Sequence, residues 1–277
     1  MPPPSWPVRM FRAVAPTFRY WAQTEVHVYA FSIAANVLLS FFPFLIVNMS
    51  VSRVFFNQKT TVAALDLIFR DYLPGALGQF LHSDGHDNLP RGQPFEIVSI
   101  VLLLITANGI FVPLEVALNH VWGIPKNRTY LRSQLVCFVL IFACGGLALF
   151  SLGITALNTE ALTGGPVEAF IKLFFLKIAA IPLSALILFL IYRYLPNGKP
   201  PLHRVIPAAI LMGLILELVK YANQYLWPPF EAKIAREYGV FRYSVTLIFV
   251  GFIVSMLVLA GAEWSARGYK LYKKEVE

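Results

Sequence analysis

Residues 244–262 read SVTLIFVGFIVSMLVLAGA, nineteen positions without a charged side chain. At 1.5 Å per residue, a helix of that length spans roughly 28 Å, close to the ~30 Å hydrocarbon core of a bilayer. Working outward, comparable apolar runs recur at about 28–51, 95–116, 135–157, 169–192 and 205–225. The sequence therefore predicts an all-α fold: a polytopic membrane helical bundle with six transmembrane helices and interfacial amphipathic helices at its edges.

Composition agrees. Of 277 residues, 57% are hydrophobic and 14% charged, where a soluble domain carries about 25% charge. The chain divides into an interfacial segment 1–27, a membrane domain 28–265 and a basic tail 266–277. The net charge is +8, and the 23 Lys and Arg residues gather at the ends of the apolar runs. That placement suits lipid headgroups and argues against a nucleic-acid partner. Cys137 and Cys144 lie seven apart in one run, so they share a helix face about 10 Å apart and cannot bond to each other.

Met1 to Ala15 hold no short apolar core followed by a small-residue cleavage site, so the first span is expected to act as an uncleaved insertion signal. Trp6, Phe11, Phe18, Tyr20 and Trp21 alternate with Arg9, Arg12 and Arg19, a mixture suited to the membrane interface or to an anchored tail. In the connection 52–94, Val62, Leu65, Leu67, Ile68, Tyr72 and Leu73 sit among Asp66, Arg70 and Asp71. That pattern predicts an amphipathic helix on the bilayer surface.

Charge asymmetry sets the expected orientation. One set of flanks carries Arg9, Arg12, Arg19, Lys126, Arg128, Arg132, Arg193, Lys199, Arg204, Arg267, Lys270, Lys273 and Lys274, thirteen in all. The opposite links hold seven: Arg53, Lys59, Arg70, Arg91, Lys233, Arg236 and Arg242. By the positive-inside rule both termini face the cytoplasm.

Several segments resemble one family. Ala34 to Phe44 (AANVLLSFFPF), Leu118 to Gly123 (LNHVWG) with Arg128, Tyr192 to Gly198 (YRYLPNG), Pro207 to Tyr221 (PAAILMGLILELVKY), Tyr238-Gly239 and Leu259 to Glu263 (LAGAE) look like the YihY/BrkB family of bacterial inner-membrane proteins, in its order and spacing. The resemblance implies six spans and an inner-membrane location. The chain departs from that family at Leu216, where a tryptophan is usual, and in having no tryptophan between Ser244 and Ala262, which marks a divergent branch.

Proteins of this kind have carried an older ribonuclease label, and the residues argue against it. A metal-dependent nuclease clusters His and Asp to activate water, whereas His27, His82, His86, His120 and His203 are dispersed. His82, Asp84, His86 and Asp87 form the one suggestive group and read better as a solvated loop tip. No phosphate loop or nucleophile triad stands out. The expectation is no enzyme, no metal and no cofactor.

The informative residues are ionisable groups inside the spans, because a charge at bilayer depth is costly unless paired or facing water. Glu217, Lys220 and Lys177 qualify. Glu217 lies about 18 Å along its helix from Val205, at a depth that Lys177 on span four also reaches. An interhelical Glu217–Lys177 pair lining a polar cavity is one expectation; a structural ion pair, or lysines snorkelling to headgroups, is the other. Glu115 and Glu263 fall near span ends, where Arg128 and Arg267 can neutralise them.

Asn36, Ser40 and Asn108 mark an inward polar face, with Asn48 and Thr106 beside them. Pro43, Pro113 and Pro182 lie in spans, where broken helices can expose backbone to substrate, although proline is common in membrane helices. Ala209 with Gly213, and Gly251 with Ser255, predict close approach of spans five and six. The functional expectation is a transporter-like protein handling a lipid or another amphiphile, with membrane lipids as partners. The alternative is a scaffold for an envelope-assembly or lipid-transfer partner; a ribonuclease ranks last.

Overall fold

A computed structural model describes residues 15–55, 93–125, 128–160 and 181–267. A helical stretch at 15–21 precedes α1 (Thr24–Phe55), α2 (Gln93–Val121) and α3 (Tyr130–Glu160). Then come α4 (Ile181–Tyr194), α5 (Leu202–Tyr238) and, after a 3-10 turn at Gly239–Phe241, α6 (Arg242–Ala266). No strand occurs among the described residues, and the fold is a helical membrane bundle.

Five of these helices, α1, α2, α3, α5 and α6, are long and apolar enough to cross a membrane. The described part of the expected fourth span, α4, is shorter; positions 169–180 of that span, including Lys177, lie outside the described residues. So does the amphipathic segment between spans one and two beyond Phe55. The helices run past most of the boundaries expected from the sequence, because helix hydrogen bonding does not stop where hydrophobicity does.

The exposed side chains are those that a lipid solvent wants. Ile97, Val98, Val101 and Ile105 on α2, and Leu135, Val139 and Phe142 on α3, are exposed and apolar. The polar groups turn inward, and the hydroxyls of Thr106 and Ser255 return to the carbonyls of Leu102 and Gly251 on their own helices. In hydrocarbon every polar atom needs a protein partner.

Helix α1 is the central element, packing most extensively on α2 and α6, while α5 packs on α6. Small residues set these approaches. Gly251 of α6 meets Ala34 of α1, with a would-be Cβ 3.3 Å from the Ala34 Cα, and Gly213 of α5 meets the backbone of Ala185 on α4. The two glycines therefore bring α6 onto α1 and α5 onto α4, which differs from the α5–α6 approach expected of them. A four-residue spacing shows that a helix has a close face, but not which neighbour takes it.

Pro43 and Pro113 sit inside continuous helices, so these spans are not broken as a transporter's discontinuous helices are. Neighbouring helices can satisfy the backbone groups that such prolines free. Pro182 lies on α4 at the edge of the described residues. Cys137 and Cys144 are both free thiols on α3.

Among the described residues, a large set of fully buried side chains gathers at one end of the bundle. Leu118 of α2 and Trp122 in the turn after it, Tyr192 and Leu195 at the end of α4, Val205 of α5 and Leu259 of α6 are fully buried there. At this end α2, α4 and α6 finish and α3 and α5 begin, so consecutive helices alternate in direction. It is also where Arg128, Arg193, Arg204 and Arg267 lie, and it is termed the basic end below.

Candidate functional site

Two sets of polar groups stand out: a network that closes the basic end and a charge pair within the span of α5. The network begins where α2 stops. Gly123 adopts φ +66°, its N–H donates to His120 O at 3.1 Å, and Ile124 N–H donates to Asn119 O at 2.9 Å. These are the two bonds of a Schellman stop, which needs a left-handed residue at that position and so favours glycine. The turn aims the chain back toward Arg128 and presents the Asn119 side chain, whose Oδ1 accepts from Asn197 N–H at 2.7 Å.

Arg128 completes the closure. Its Nη1 donates to Glu115 Oε1 at 3.0 Å and to Leu195 O at 2.5 Å, and its Nη2 to Pro196 O at 2.6 Å and Tyr194 O at 3.2 Å. The second Glu115 oxygen accepts from Ser133 Oγ at 2.5 Å. One planar guanidinium thus joins α2, the start of α3 and the link after α4, a task for a fixed fork of donors. Arg193 Nη1 holds Pro200 O at 2.6 Å and folds the rest of the link onto α4.

A second closure joins the chain's beginning to its end. Arg267 grips Glu263 through Nε to Oε1 at 2.9 Å and Nη2 to Oε2 at 2.6 Å, and Nη2 also donates to Thr17 Oγ1 at 2.6 Å. Thr17 Oγ1 lies 3.0 Å from Glu263 Oε2 as its donor, and Trp21 Nε1 donates to Met256 O at 3.0 Å. Burial, with the Glu263 carboxylate second, pushes the neighbouring Tyr20 phenol well above its usual value, so it stays neutral. The pairings of Glu115 with Arg128 and of Glu263 with Arg267 are those expected from their positions at span ends.

Glu217 and Lys220 form the second feature. Val205, Ala208, Ala209, Met212, Gly213, Glu217 and Lys220 are the buried positions of this part of α5, spaced three and four apart as one helix face requires. On that face Lys220 Nζ lies 2.6 Å from Glu217 Oε2, with side chains 3% and 7% exposed. Both belong to the apolar span Leu202–Asn223. Lys220 therefore faces the bundle, with its ammonium 5.5 Å from the Tyr221 ring centroid, instead of snorkelling to a surface.

The inward polar face is placed on helix contacts. Asn36 sits against Gly109 of α2, whose missing Cβ makes room for its amide, and its Nδ2 donates to Ser32 O at 2.9 Å. Ser40 is buried and donates to Val37 O at 3.0 Å. Asn108 Nδ2 donates to Gln134 Oε1 on α3. No group of three metal-ligating side chains occurs among the described residues; His82, Asp84, His86 and Asp87 lie outside them.

Sequence reading passed over the Schellman turn and the three carbonyls gathered by Arg128, although Gly123 and the Tyr192–Gly198 segment carried the signal. The segments that resembled a family are thus the ones that build the closed end and the tight helix contacts. The family described as virulence factor BrkB matches residues 17–275. The chain belongs to the BrkB family.

Its BrkB-family relatives are named as membrane proteins. A UPF0761 membrane protein of Chlorobium limicola is 26% identical over 256 residues, covering 91% of this chain and 57% of that relative. One of Alkalilimnicola ehrlichii is 23% identical, covering 85% and 53%. One of Chromohalobacter salexigens is 27% identical, covering 72% and 49%. The chain spans about half the length of the curated relatives it matches. No solved structure matches it. It is a multi-pass membrane protein of a family whose names specify no enzyme.

Proposed function

We propose that this BrkB-family chain is a transporter-like inner-membrane protein that moves a lipid or another amphiphile, with both termini in the cytoplasm and no catalytic activity. The observation that carries the reading is the Glu217–Lys220 pair, 2.6 Å apart on the bundle-facing side of a span. Ionisable groups at membrane depth are costly, and where they persist they commonly serve a polar path or a coupling ion. The excess of Lys and Arg at the basic end supports placing that end in the cytoplasm.

The test is transbilayer movement of fluorescent phospholipid in proteoliposomes, comparing the wild-type protein, Glu217→Gln, the charge-neutral Glu217→Gln/Lys220→Met double variant and empty vesicles. Wild-type movement above empty vesicles, lost in both variants, supports the reading. Full movement in the double variant makes the pair structural, and no movement in any sample removes the transport reading.

A scaffold is the second reading, favoured by the length of α5. That helix continues from its span to Tyr238, and Tyr225, Leu226, Phe230 and Tyr238 are exposed on the continuation. The continuation packs first beside α6, through Trp227 on Phe249, and its exposed aromatic and apolar side chains offer a face to an envelope-assembly or lipid-transfer partner. A partner that co-purifies without dependence on any substrate discriminates this reading from transport.

A further inference from the structure

At the basic end, the first turns of α5 and the last turn of α6 enclose a cleft of about 310 Å³. Its walls are His203, Arg204, Pro207, Trp264, Ser265 and Arg267. The apolar span of α5 begins at Leu202 and that of α6 ends at Ala266, so the cleft lies at the level where hydrocarbon gives way to headgroups.

We infer that this cleft binds the phosphate of an anionic lipid headgroup. Two guanidinium groups and an imidazole supply the donors that a phosphate oxygen accepts, and arginine's planar fork suits that geometry. Glu263 takes up part of the Arg267 charge and holds that side chain in place. Arg204 Nη1 is anchored on Arg267 O at 2.7 Å, so both guanidinium groups are positioned before a ligand arrives. Trp264 is half-exposed at the rim, where indole rings favour the headgroup layer.

A lipid, and not a soluble anion, is indicated by what continues from the cleft. Leu202, Ile206, Ile210, Leu214 and Leu218 are all exposed and follow each other at four-residue steps, one ridge along α5. The ridge starts beside the basic walls and descends roughly 24 Å through the span, offering an acyl chain a continuous apolar track under its own headgroup. A basic pocket between helices at the headgroup level is a recognised means of holding an acidic lipid. The site stands whether or not the protein moves lipid.

The experiment is native mass spectrometry of the full chain in detergent, titrated with phosphatidylglycerol and with phosphatidylcholine of the same acyl composition. The wild-type protein is expected to retain phosphatidylglycerol preferentially. Arg204→Gln is expected to weaken that retention by about tenfold, the worth of one charge-assisted hydrogen bond. Because Arg204 also ties α5 to α6, His203→Glu serves as the second variant: His203 is exposed, and the substitution places a like charge against the phosphate without touching the packing. Lys199→Gln, exposed at the same end and outside the cleft, should leave retention unchanged. Equal retention of the two lipids, or retention unaltered by both cleft variants, overturns the inference. Complete displacement by millimolar inorganic phosphate would reassign the site to a soluble anion.

Discussion

Arg128 and Leu195 lie 67 positions apart in the sequence and are joined by a hydrogen bond from Nη1 to the Leu195 carbonyl at 2.5 Å. The same guanidinium carries the Glu115 carboxylate and the carbonyls of Tyr194 and Pro196. Such a group sets the geometry of the whole basic end, because three chain segments meet on one rigid plane.

Replacing Arg128 by Met is therefore expected to leave Glu115 buried without its counter-charge, at a cost of about 3–5 kcal/mol. Arg128→Lys keeps the charge and loses the fork, so it should fall between Met and wild type. Thermal midpoints in detergent, read by size exclusion after heating, give the order. A Lys variant as stable as wild type would mean that the three carbonyls find other donors.

The charge pair in α5 predicts a different pattern. Glu217→Gln takes the carboxylate from beside a buried ammonium and should cost up to about 3–5 kcal/mol, whereas Glu217→Gln/Lys220→Met removes both charges and should recover most of that loss. The comparison is a double-mutant cycle on thermal midpoints. Additive losses would show that the two side chains do not act as a pair, and would weaken the transport reading that rests on them.

What could be read from the sequence was what depends on local pattern. Apolar run length gave the spans, and the positions of Glu115 and Glu263 beside Arg128 and Arg267 gave their partners, because a carboxylate at a span end has few cations within reach. Glu217 lies in the apolar span of α5 and pairs with Lys220, one turn along the same helix, a pairing the sequence had not singled out, while Lys177, the interhelical mate it had offered, lies outside the described residues. Depth constrains position along a helix axis and says nothing about rotation around it. The continuation of α5 past residue 225 was missed because the span was bounded by its apolar run, which ends there although the helix does not. The helix passes through both Pro228 and Pro229. The partners of Gly213 and Gly251 depend on how helices are arranged, which hydrophobicity does not encode.

Glycines in two settings should respond oppositely to the same change. A Cβ at Gly261 would overlap the Met212 side chain and lie 2.5 Å from the Tyr192 hydroxyl, which itself donates to Val258 O at 2.8 Å. Gly261→Ala is expected to cost about 1–3 kcal/mol through overpacking. At Gly145 of α3 a Cβ meets nothing within 4 Å among the described residues, so Gly145→Ala should be neutral or stabilise by up to about 1 kcal/mol through helix propensity. Similar thermal midpoints for the two variants would contradict the tight α4–α5–α6 contact.

Trp227 tests how α5 is held beyond its span. The side chain is buried, its ring centroid 6.3 Å from that of Phe249 on α6, and its Nε1 finds no hydrogen-bond partner among the described residues. A buried donor without a partner carries a desolvation cost and no compensating bond. Trp227→Phe removes the donor and keeps an aromatic ring, so stability should change little, within about 1 kcal/mol, the smaller ring's packing loss offsetting the relief. Trp227→Ala removes the ring contact as well and should cost about 3–5 kcal/mol, releasing the continuation from α6. Limited proteolysis between residues 228 and 242 reads that release directly: cleavage should rise in the Ala variant and remain at the wild-type rate in the Phe variant. Cleavage of the Ala variant at the wild-type rate would mean that the ring contact with Phe249 does not anchor the helix.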